Sequence, residues 1–255
     1  MEKKNDRENT DLIIGRNAVS EALKSERAID TLLVVRGERN GSIGRIIAEC
    51  KDKGIVVKEV DKKKLDFMCG QGNHQGVAAY AAVHEYAELE DIFALAEERG
   101  EEPFIIICDE LEDPHNLGAI IRTAECTGAH GVIIPKRRNA SLTWAVGKAS
   151  AGAVEYVPVA RVGNLASTIE DLKKRGLWVY CADMDGSSWC QTDFSGGVAL
   201  VVGSEGSGVS RLIKEKSDFV LSLPMRGKIT SLNASVAASI LMYEVARQRL
   251  GIKAK

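Results

Sequence analysis

From Pro103 onward, short apolar runs alternate with longer helical patterns, and this alternation constrains the fold more than any other feature of the chain. Runs such as Phe104–Cys108 are rich in β-branched residues and too short for helices. Strands are predicted at residues 103–108, 131–134, 177–182, 198–202 and 219–223, and helices at 117–128, 163–176 and 232–249. Such alternation predicts an α/β fold, with a mostly parallel sheet covered by helices on both faces.

The chain before Pro103 divides into three parts. Residues 1–11 lack an apolar pattern, which predicts a disordered tail. Residues 12–83 alternate between short strands and helices, which predicts a small α/β domain. Residues 84–102 are acidic, with apolar residues in helical register, and are predicted to form a linker helix. Residues 103–255 then form the second domain.

The formal net charge of −2 argues at first against a nucleic-acid partner. However, residues 86–102 hold seven acidic side chains and one basic side chain, so the acidic excess is local. Two basic clusters, Lys62–Lys64 and Lys136–Arg138, are candidates for contacts with phosphates. Either cluster alone is equally typical of a solvated surface.

Other features predict a cytoplasmic protein without a membrane or metal partner. Its apolar runs are too short to cross a bilayer, and the polar N-terminus lacks the apolar region of a signal peptide. The six cysteines form no Cys-x-x-Cys pair and the four histidines are scattered, so no metal site is predicted. Unpaired cysteines fit a reducing compartment.

The segment at residues 109–124 follows an apolar strand, where open α/β sheets bind ligands. Pro114 is predicted to stop the strand, and Asn116 to cap the following helix. Arg122 lies among apolar and small residues of that helix. A snorkelling side chain or a structural ion pair would explain this arginine as well as a functional role.

Two further segments follow predicted strands. Residues 198–209 run from a strand into a glycine-rich turn containing Glu205, without the spacing of a P-loop or a dinucleotide fingerprint. Residues 221–235 run from a strand through Pro224 into a helix that is predicted to start near Ser231 or Asn233. Taken singly, these segments are typical of an ordinary tight turn and an ordinary helix cap.

Together and in this order, the three segments resemble the signature motifs of the SpoU branch of the SPOUT methyltransferases. These motifs are Asn-x-Gly-x-x-x-Arg-Thr, Gly-[Ser/Asn]-Glu-Gly and Pro-Met-x-Gly-x-x-x-Ser-Leu-Asn. Residues 15–19, 74–77 and 131–138 are similar to the RlmB-type members of the family. The resemblance covers residues 12–250, and Arg226 departs from it where relatives often carry a small residue.

The resemblance implies a C-terminal domain with a deep trefoil knot and a small ribosomal-protein-like N-terminal domain that binds the substrate. It also implies the cofactor S-adenosylmethionine, bound in the knot largely by backbone groups. By motif position, the residues at the cofactor would be Gly203, Leu223 and Leu232. A homodimer through the C-terminal domain, with sites built at its interface, is the implied assembly.

The implied reaction is methylation of a ribose 2′-hydroxyl. Arg122 matches the arginine proposed to activate this hydroxyl. An arginine is effectively always protonated, so we expect it to bind a phosphate and stabilise the developing alkoxide instead of acting as a base. Glu205 is expected to orient Arg122 by a charge-assisted pair. Asn116, Ser231 and Asn233 are expected to position the ribose and the arginine.

The implied substrate is ribosomal RNA, and the RlmB-type resemblance indicates a guanosine of 23S rRNA. A tRNA ribose methyltransferase is the first alternative, although such relatives often use basic terminal extensions instead of a folded N-terminal domain. An antibiotic-resistance rRNA methyltransferase has the same architecture. A non-catalytic RNA-binding or ribosome-assembly protein would be expected to lack Arg122 or the Ser231–Asn233 triplet. A Rossmann oxidoreductase fits the alternation but not the glycine spacing.

Overall fold

The computed structural model describes residues 12–24, 29–39, 41–70, 72–81 and 84–252. The chain divides into two compact units, each described by itself below. The first comprises Met1–Glu85 with Ser141–Trp144, and the second comprises Tyr86–Ala140 with Ala145–Lys255. The tail predicted at residues 1–11 lies outside the described residues.

The first unit is a small α/β domain around a four-stranded sheet of order β1-β4-β2-β3. Only the β2–β3 pair is parallel, and the other two pairs are antiparallel. Its elements are β1 (Leu12–Ile14), α1 (Arg16–Lys24), β2 (Ile29–Val35), α2 (Ser42–Asp52), β3 (Val56–Val60), α3 (Lys62–Cys69) and β4 (Val77–Ala81).

Strand β2 shows how the small sheet acquires two cores. Successive side chains of a strand point to opposite faces. Leu32 and Val34 pack with α1 and α2, and Leu33 packs with Leu65 and Cys69 of α3. Helix α3 was not predicted, because residues 62–64 read only as a basic cluster.

The second unit contains the predicted α/β architecture. Its six strands have the order β10-β8-β9-β5-β6-β7, and every neighbouring pair is parallel. The elements from residue 86 onward are α4 (Leu89–Arg99), β5 (Phe104–Cys108), α5 (Pro114–Cys126), β6 (Gly131–Pro135), α6 (Trp144–Ala149), β7 (Val159–Val162), α7 (Leu165–Lys174), β8 (Leu177–Ser188), β9 (Gly197–Val202), α8 (Arg211–Lys216), β10 (Phe219–Ser222) and α9 (Ala234–Arg249).

Helices cover both faces of this sheet. On one face, Ile92 of α4 and Ile169 of α7 belong to the same buried cluster as Ile105 and Ile107 of β5. Helices α5 and α9 contact each other and the strands β6 and β9. The acidic helix predicted at 84–102 is therefore part of this core through α4. The trefoil knot concerns the threading of the chain and stays a prediction.

Candidate active site

The three motif segments follow the carboxyl ends of β5, β9 and β10, which are strands of one parallel sheet. Because parallel strands end at the same edge, the loops after them converge there. All three segments belong to the second unit.

The first segment begins helix α5 earlier than predicted. Asp113 caps the helix, since its Oδ1 accepts a hydrogen bond from the backbone N–H of His115 at 3.0 Å, and Pro114 is the first helical residue. The prediction that Asn116 caps the helix is therefore wrong. Asn116 lies inside the first turn and is 5% exposed, so its side chain is available for other partners.

Asn116, Glu205 and Asn233 form a hydrogen-bond network that joins the three segments. Asn116 Nδ2 donates to Glu205 Oε1 at 3.0 Å. Asn233 Nδ2 donates to Asn116 Oδ1 at 2.9 Å and also to Glu205 Oε1. A primary amide has two hydrogens, so it can make both bonds. The structure thus brings together three residues that lie 89 and 28 positions apart in sequence.

Asn233 is held in place because it also caps helix α9. Its Oδ1 accepts hydrogen bonds from the backbone N–H groups of Ser235 at 3.0 Å and Val236 at 3.2 Å. The predicted helix start near Asn233 is confirmed. Because the oxygen of this amide faces the helix, its nitrogen must face Glu205 and Asn116.

All three predicted cofactor residues line one cavity of about 260 Å³, which we call the cofactor cavity. Gly203, Leu223 and Leu232 border it together with Glu205 and Ser231. Its volume lies near the lower end of the range for small-molecule sites, roughly 300–1,000 Å³. Ser231 is exposed and makes no hydrogen bond within the described parts of the chain, so its hydroxyl is free for a ligand.

A second cavity, of about 320 Å³, also borders Glu205, and we call it the anterior cavity. Asn116, Glu110, Arg138 and Glu205 are among its lining residues. Arg138 Nη1 donates to Glu110 Oε1 at 2.9 Å, and both residues have left-handed backbones, with φ of 56° and 55°. Glu205 therefore borders both cavities, as a group between two ligands would.

The glycine-rich turn needs its glycines for its own closure. The backbone N–H groups of Ser204 and Gly208 each donate to the other residue's carbonyl, at 3.1 and 3.0 Å. A Cβ on Gly203 would lie 2.0 Å from the carbonyl carbon of Gly208. Gly208 has a φ of +65°, which favours glycine. Gly203 is thus required because the turn's own backbone, at Gly208, packs directly against it.

Two acidic residues that the sequence analysis did not single out also shape this site. Asp109 is buried, and its Oδ2 accepts a hydrogen bond from the backbone N–H of Ser210 at 2.7 Å, which ties the glycine-rich turn to β5. Asp109 directly follows an apolar strand, and this position was the available signal.

Asp183 lines the cofactor cavity and forms an ion pair with Lys214 at 3.0 Å. Burial acts to raise the pKa of Asp183, but hydrogen bonds from Lys214 and from backbone N–H groups outweigh it and leave this pKa below its ordinary value. A carboxylate is therefore present in the cavity at neutral pH.

Arg122 stands apart from the network. It is exposed, and it has no hydrogen bond or ion pair with the residues that the structure describes. It follows Asn116 by six residues, which in a helix places it about 240° around the axis from Asn116. The predicted pair between Arg122 and Glu205 is not formed within the chain, and the carboxylate of Glu205 is held by two amides instead.

The described residues show neither a metal-binding cluster nor a membrane-spanning helix. No group of three or more His, Cys, Asp or Glu side chains in these ranges is arranged to hold a metal ion. No helix among them is long and apolar enough to cross a membrane.

Comparisons with known proteins agree with this geometry. Residues 103–243 match the SpoU rRNA Methylase family. Residues 12–87 match the family described as RNA 2'-O ribose methyltransferase substrate binding. The chain is 53% identical over 240 residues to YacO of Bacillus subtilis, which carries the name of a TrmH family tRNA/rRNA methyltransferase, and the match covers 94% of this chain and 96% of that protein.

Two solved structures are similar over different lengths. An AdoMet-bound rRNA methyltransferase from Sinorhizobium meliloti has a TM-score of 0.58 and 26% identity, covering 97% of this chain and 91% of its own. A TrmH/SpoU tRNA modifying enzyme from A. aeolicus has a TM-score of 0.54 and 29% identity, covering 59% of this chain and 77% of its own.

The fold and the site define this protein as an RNA methyltransferase. The chain belongs to the SpoU/TrmH family, and its motifs lie in the part that matches the SpoU rRNA Methylase model.

Proposed function

We propose that the protein transfers a methyl group from S-adenosylmethionine to a ribose 2′-hydroxyl of RNA, with a guanosine of 23S rRNA as the target. The observation that carries the proposal is the network of Asn116, Glu205 and Asn233, in which Glu205 borders two cavities. One cavity is suited to the methyl donor and the other to the ribose.

The cofactor cavity fits a molecule with an apolar ring and several polar groups. Leu223, Met225 and Leu232 offer apolar surface, and the glycine-rich turn offers backbone groups. When bound, S-adenosylmethionine supplies a methyl group on a sulfonium, which is a good leaving group. The chain's own residues then have to orient the hydroxyl and remove its proton. Positioning of this kind can lower the barrier substantially.

Glu205 is the group best placed to accept the hydrogen of the ribose hydroxyl. Its Oε1 is fixed by Asn116 and Asn233, whereas its Oε2 has no hydrogen-bond partner within the described ranges. The 2′-oxygen forms a bond to the methyl carbon as the bond from carbon to sulfur breaks, and the hydroxyl proton passes to Glu205 and then to water. This role replaces the orientation of Arg122 that was first expected of Glu205.

Arg122 is proposed to act in the site of a second copy of the chain. Its exposure and its distance around the helix from Asn116 leave it without a role inside its own chain. A homodimer through the C-terminal domain is supported by exposed apolar residues on and after α9: Val236, Tyr243, Leu250 and Ile252. There Arg122 would bind the phosphate beside the target ribose and stabilise the developing alkoxide.

Ribosomal RNA is favoured over tRNA by coverage. The similar structure of an rRNA methyltransferase extends over 97% of the chain, and that of a tRNA modifying enzyme over 59%. A folded N-terminal substrate domain is thus shared with the rRNA enzyme. A cytoplasmic location, where rRNA and tRNA are modified, is part of the same proposal. An antibiotic-resistance rRNA methyltransferase would share these features.

The test is to incubate the protein with radiolabelled S-adenosylmethionine and either 23S rRNA or tRNA, and then to digest the RNA to nucleosides. We expect labelled 2′-O-methylguanosine from 23S rRNA, within a linkage that resists alkaline hydrolysis. Label on a base would refute ribose methylation. Label confined to tRNA would refute the rRNA target, and the Glu205→Gln protein serves as the inactive control.

A further inference from the structure

Helix α3 of the first unit carries an exposed aromatic ring. Phe67 is 89% exposed, more than any other large hydrophobic residue described, with Ile229 at 76% and Tyr156 at 74%. Its neighbours Leu65 and Cys69 are buried and pack against the sheet, so the helix is anchored without Phe67. A single exposed apolar residue is common and needs no explanation. The surroundings of this one are unusual.

Three lysines form the first turn of the same helix. Lys62, Lys63 and Lys64 are all exposed, and none has an ion pair within the described ranges. Residues three and four apart are neighbours on a helix surface, so Lys64 and Lys63 flank the ring of Phe67. We call these four residues, Lys62, Lys63, Lys64 and Phe67, the α3 patch.

The three lysines do not stabilise helix α3. The amino end of a helix carries partial positive charge, so cations in the first turn destabilise it. The nearby acids have other contacts: Asp61 pairs with Arg36 at 3.6 Å, and Asp66 accepts a hydrogen bond from His74 Nε2 at 2.7 Å. Helix α3 holds three lysines and one acid, Asp66, so the patch carries a net positive charge around an exposed ring, and an anionic ligand with a flat face is its complement.

We infer that the α3 patch binds an unpaired stretch of the RNA substrate, with a base stacked on Phe67 and phosphates beside Lys63 and Lys64. The inference rests on the proposed function for the presence of RNA. Bases stacked on aromatic side chains, with lysines along the backbone, are the usual chemistry of single-strand binding. In an RNA duplex the base faces are covered by their neighbours, so the ring selects for unpaired nucleotides.

The experiment compares binding of the full-length protein to a twelve-nucleotide uridine oligomer and to an RNA duplex of the same length. Phe67→Ser is expected to weaken oligomer binding by about 5- to 150-fold, the usual range for one stacked base. Phe67→Tyr, which keeps the ring, should bind within about twofold of the original protein. The control Tyr156→Ser removes another exposed aromatic and should change nothing.

The lysines are tested through salt dependence. The double change Lys63→Gln with Lys64→Gln should reduce the slope of log affinity against log salt by about 1.4, since each single-strand phosphate contact contributes about 0.7. The matched control, Lys51→Gln with Lys58→Gln, removes two exposed lysines of the same unit and should leave the slope unchanged.

The outcomes separate this inference from the proposed function. In methylation assays, Phe67→Ser should raise KM for RNA while kcat and S-adenosylmethionine affinity stay the same. Oligomer binding unchanged in Phe67→Ser overturns the inference, whatever the catalytic result. If Phe67→Ser loses binding to vesicles of anionic phospholipid while its RNA binding stays intact, the inference is also overturned and the patch is assigned to membranes. Failure of the original protein to bind cofactor would instead refute the proposed reaction.

Discussion

Polar side chains at the two ends of the six-stranded sheet differ in their hydrogen-bond partners. At the amino ends of the strands, Arg249 donates to the carbonyl oxygens of Glu102, Pro103 and Gly196 at 2.6, 3.1 and 3.0 Å. There, too, His130 Nδ1 accepts from the backbone N–H of Phe104 at 2.9 Å. The hydrogen-bonding groups of these side chains have partners within the chain, most of them backbone groups.

At the carboxyl ends, polar side chains hydrogen-bond to one another, and some of their polar atoms have no partner among the described residues. In the network of Asn116, Glu205 and Asn233, Glu205 borders two cavities, and Ser231 and Arg122 are exposed to solvent. Helix α9 connects the two ends, because Asn233 caps its start and Arg249 is its last residue. Polar side chains at the amino end therefore hold the sheet together, whereas those at the carboxyl end leave polar atoms open to a ligand.

The largest expected effect is at the carboxyl end. Arg122→Ala should lower single-turnover methylation by about 10²- to 10³-fold, as for loss of one group that stabilises a developing oxyanion. Cofactor affinity and stability should not change, because the side chain is exposed. Arg122→Lys should rescue poorly, since a point charge cannot reproduce the planar two-pronged contact. A near-normal rate in Arg122→Ala would assign the residue no part in the reaction.

A mixing control decides whether Arg122 acts in the partner's site. Glu205→Gln keeps an oxygen for both amides and removes the charge, so it is inactive for a different reason. In a dimer with sites completed in trans, equal amounts of Arg122→Ala and Glu205→Gln chains should recover about a quarter of normal activity after subunit exchange. No recovery in verified heterodimers would refute the arrangement in trans.

Much of the fold follows from the sequence, because buried parallel strands give continuous apolar runs. Phe104–Cys108 and Val198–Val202 were predicted within one residue of β5 and β9. Strand β7 was missed, since its four residues include Arg161 and leave too short an apolar run. The start of α5 was wrong because Pro114 was read as a strand stop, although proline is also favoured at the first helical position.

The sequence predicted which motif residues lie near one another, but it did not predict the contacts that they make. Resemblance brought together Asn116, Glu205 and Asn233, whereas the expected pair of Glu205 with Arg122 is not formed within the described chain. Spacing along a helix gives the angle between Asn116 and Arg122, but only the packing of α5 against α9 determines which of them faces Glu205. Asp109 and Asp183 were missed because a single acid near a strand has no distinctive pattern.

A smaller effect is expected at the amino end. Arg249→Ala removes a side-chain donor from three carbonyl groups and leaves those of Glu102 and Gly196 without it, while Pro103 keeps the backbone N–H of Val198, so we expect a loss of about 1–3 kcal/mol in the free energy of unfolding. Turnover per folded molecule should not change. Arg211→Ala, which removes an exposed arginine paired with Glu215, should have little effect on stability and is the control. A loss of turnover without a loss of stability in Arg249→Ala would contradict the comparison.

The smallest effect is a pH dependence of stability, and it arises at the amino end of the sheet. Burial lowers the pKa of His130 below its ordinary value of 6.5, and the hydrogen bond with Glu101 only partly opposes this. Nδ1 accepts from the backbone of Phe104, so the neutral ring carries its hydrogen on Nε2 and donates it to Glu101 at 3.0 Å. Protonation of Nδ1 would break the bond to Phe104.

Because the pKa of His130 is lower in the folded protein than in the unfolded chain, the unfolded chain takes up the proton first as pH falls. The contribution of His130 to stability is thus complete above pH 6.5 and is lost as pH falls from there through the lowered folded pKa. The slope cannot exceed about 1.4 kcal/mol per pH unit for one group. Denaturant unfolding between pH 7.5 and 5 should show this slope in the original protein. The slope should be reduced in His130→Asn, whose amide oxygen can still accept from Phe104. Equal slopes would mean that His130 is not what makes this end of the sheet sensitive to acid.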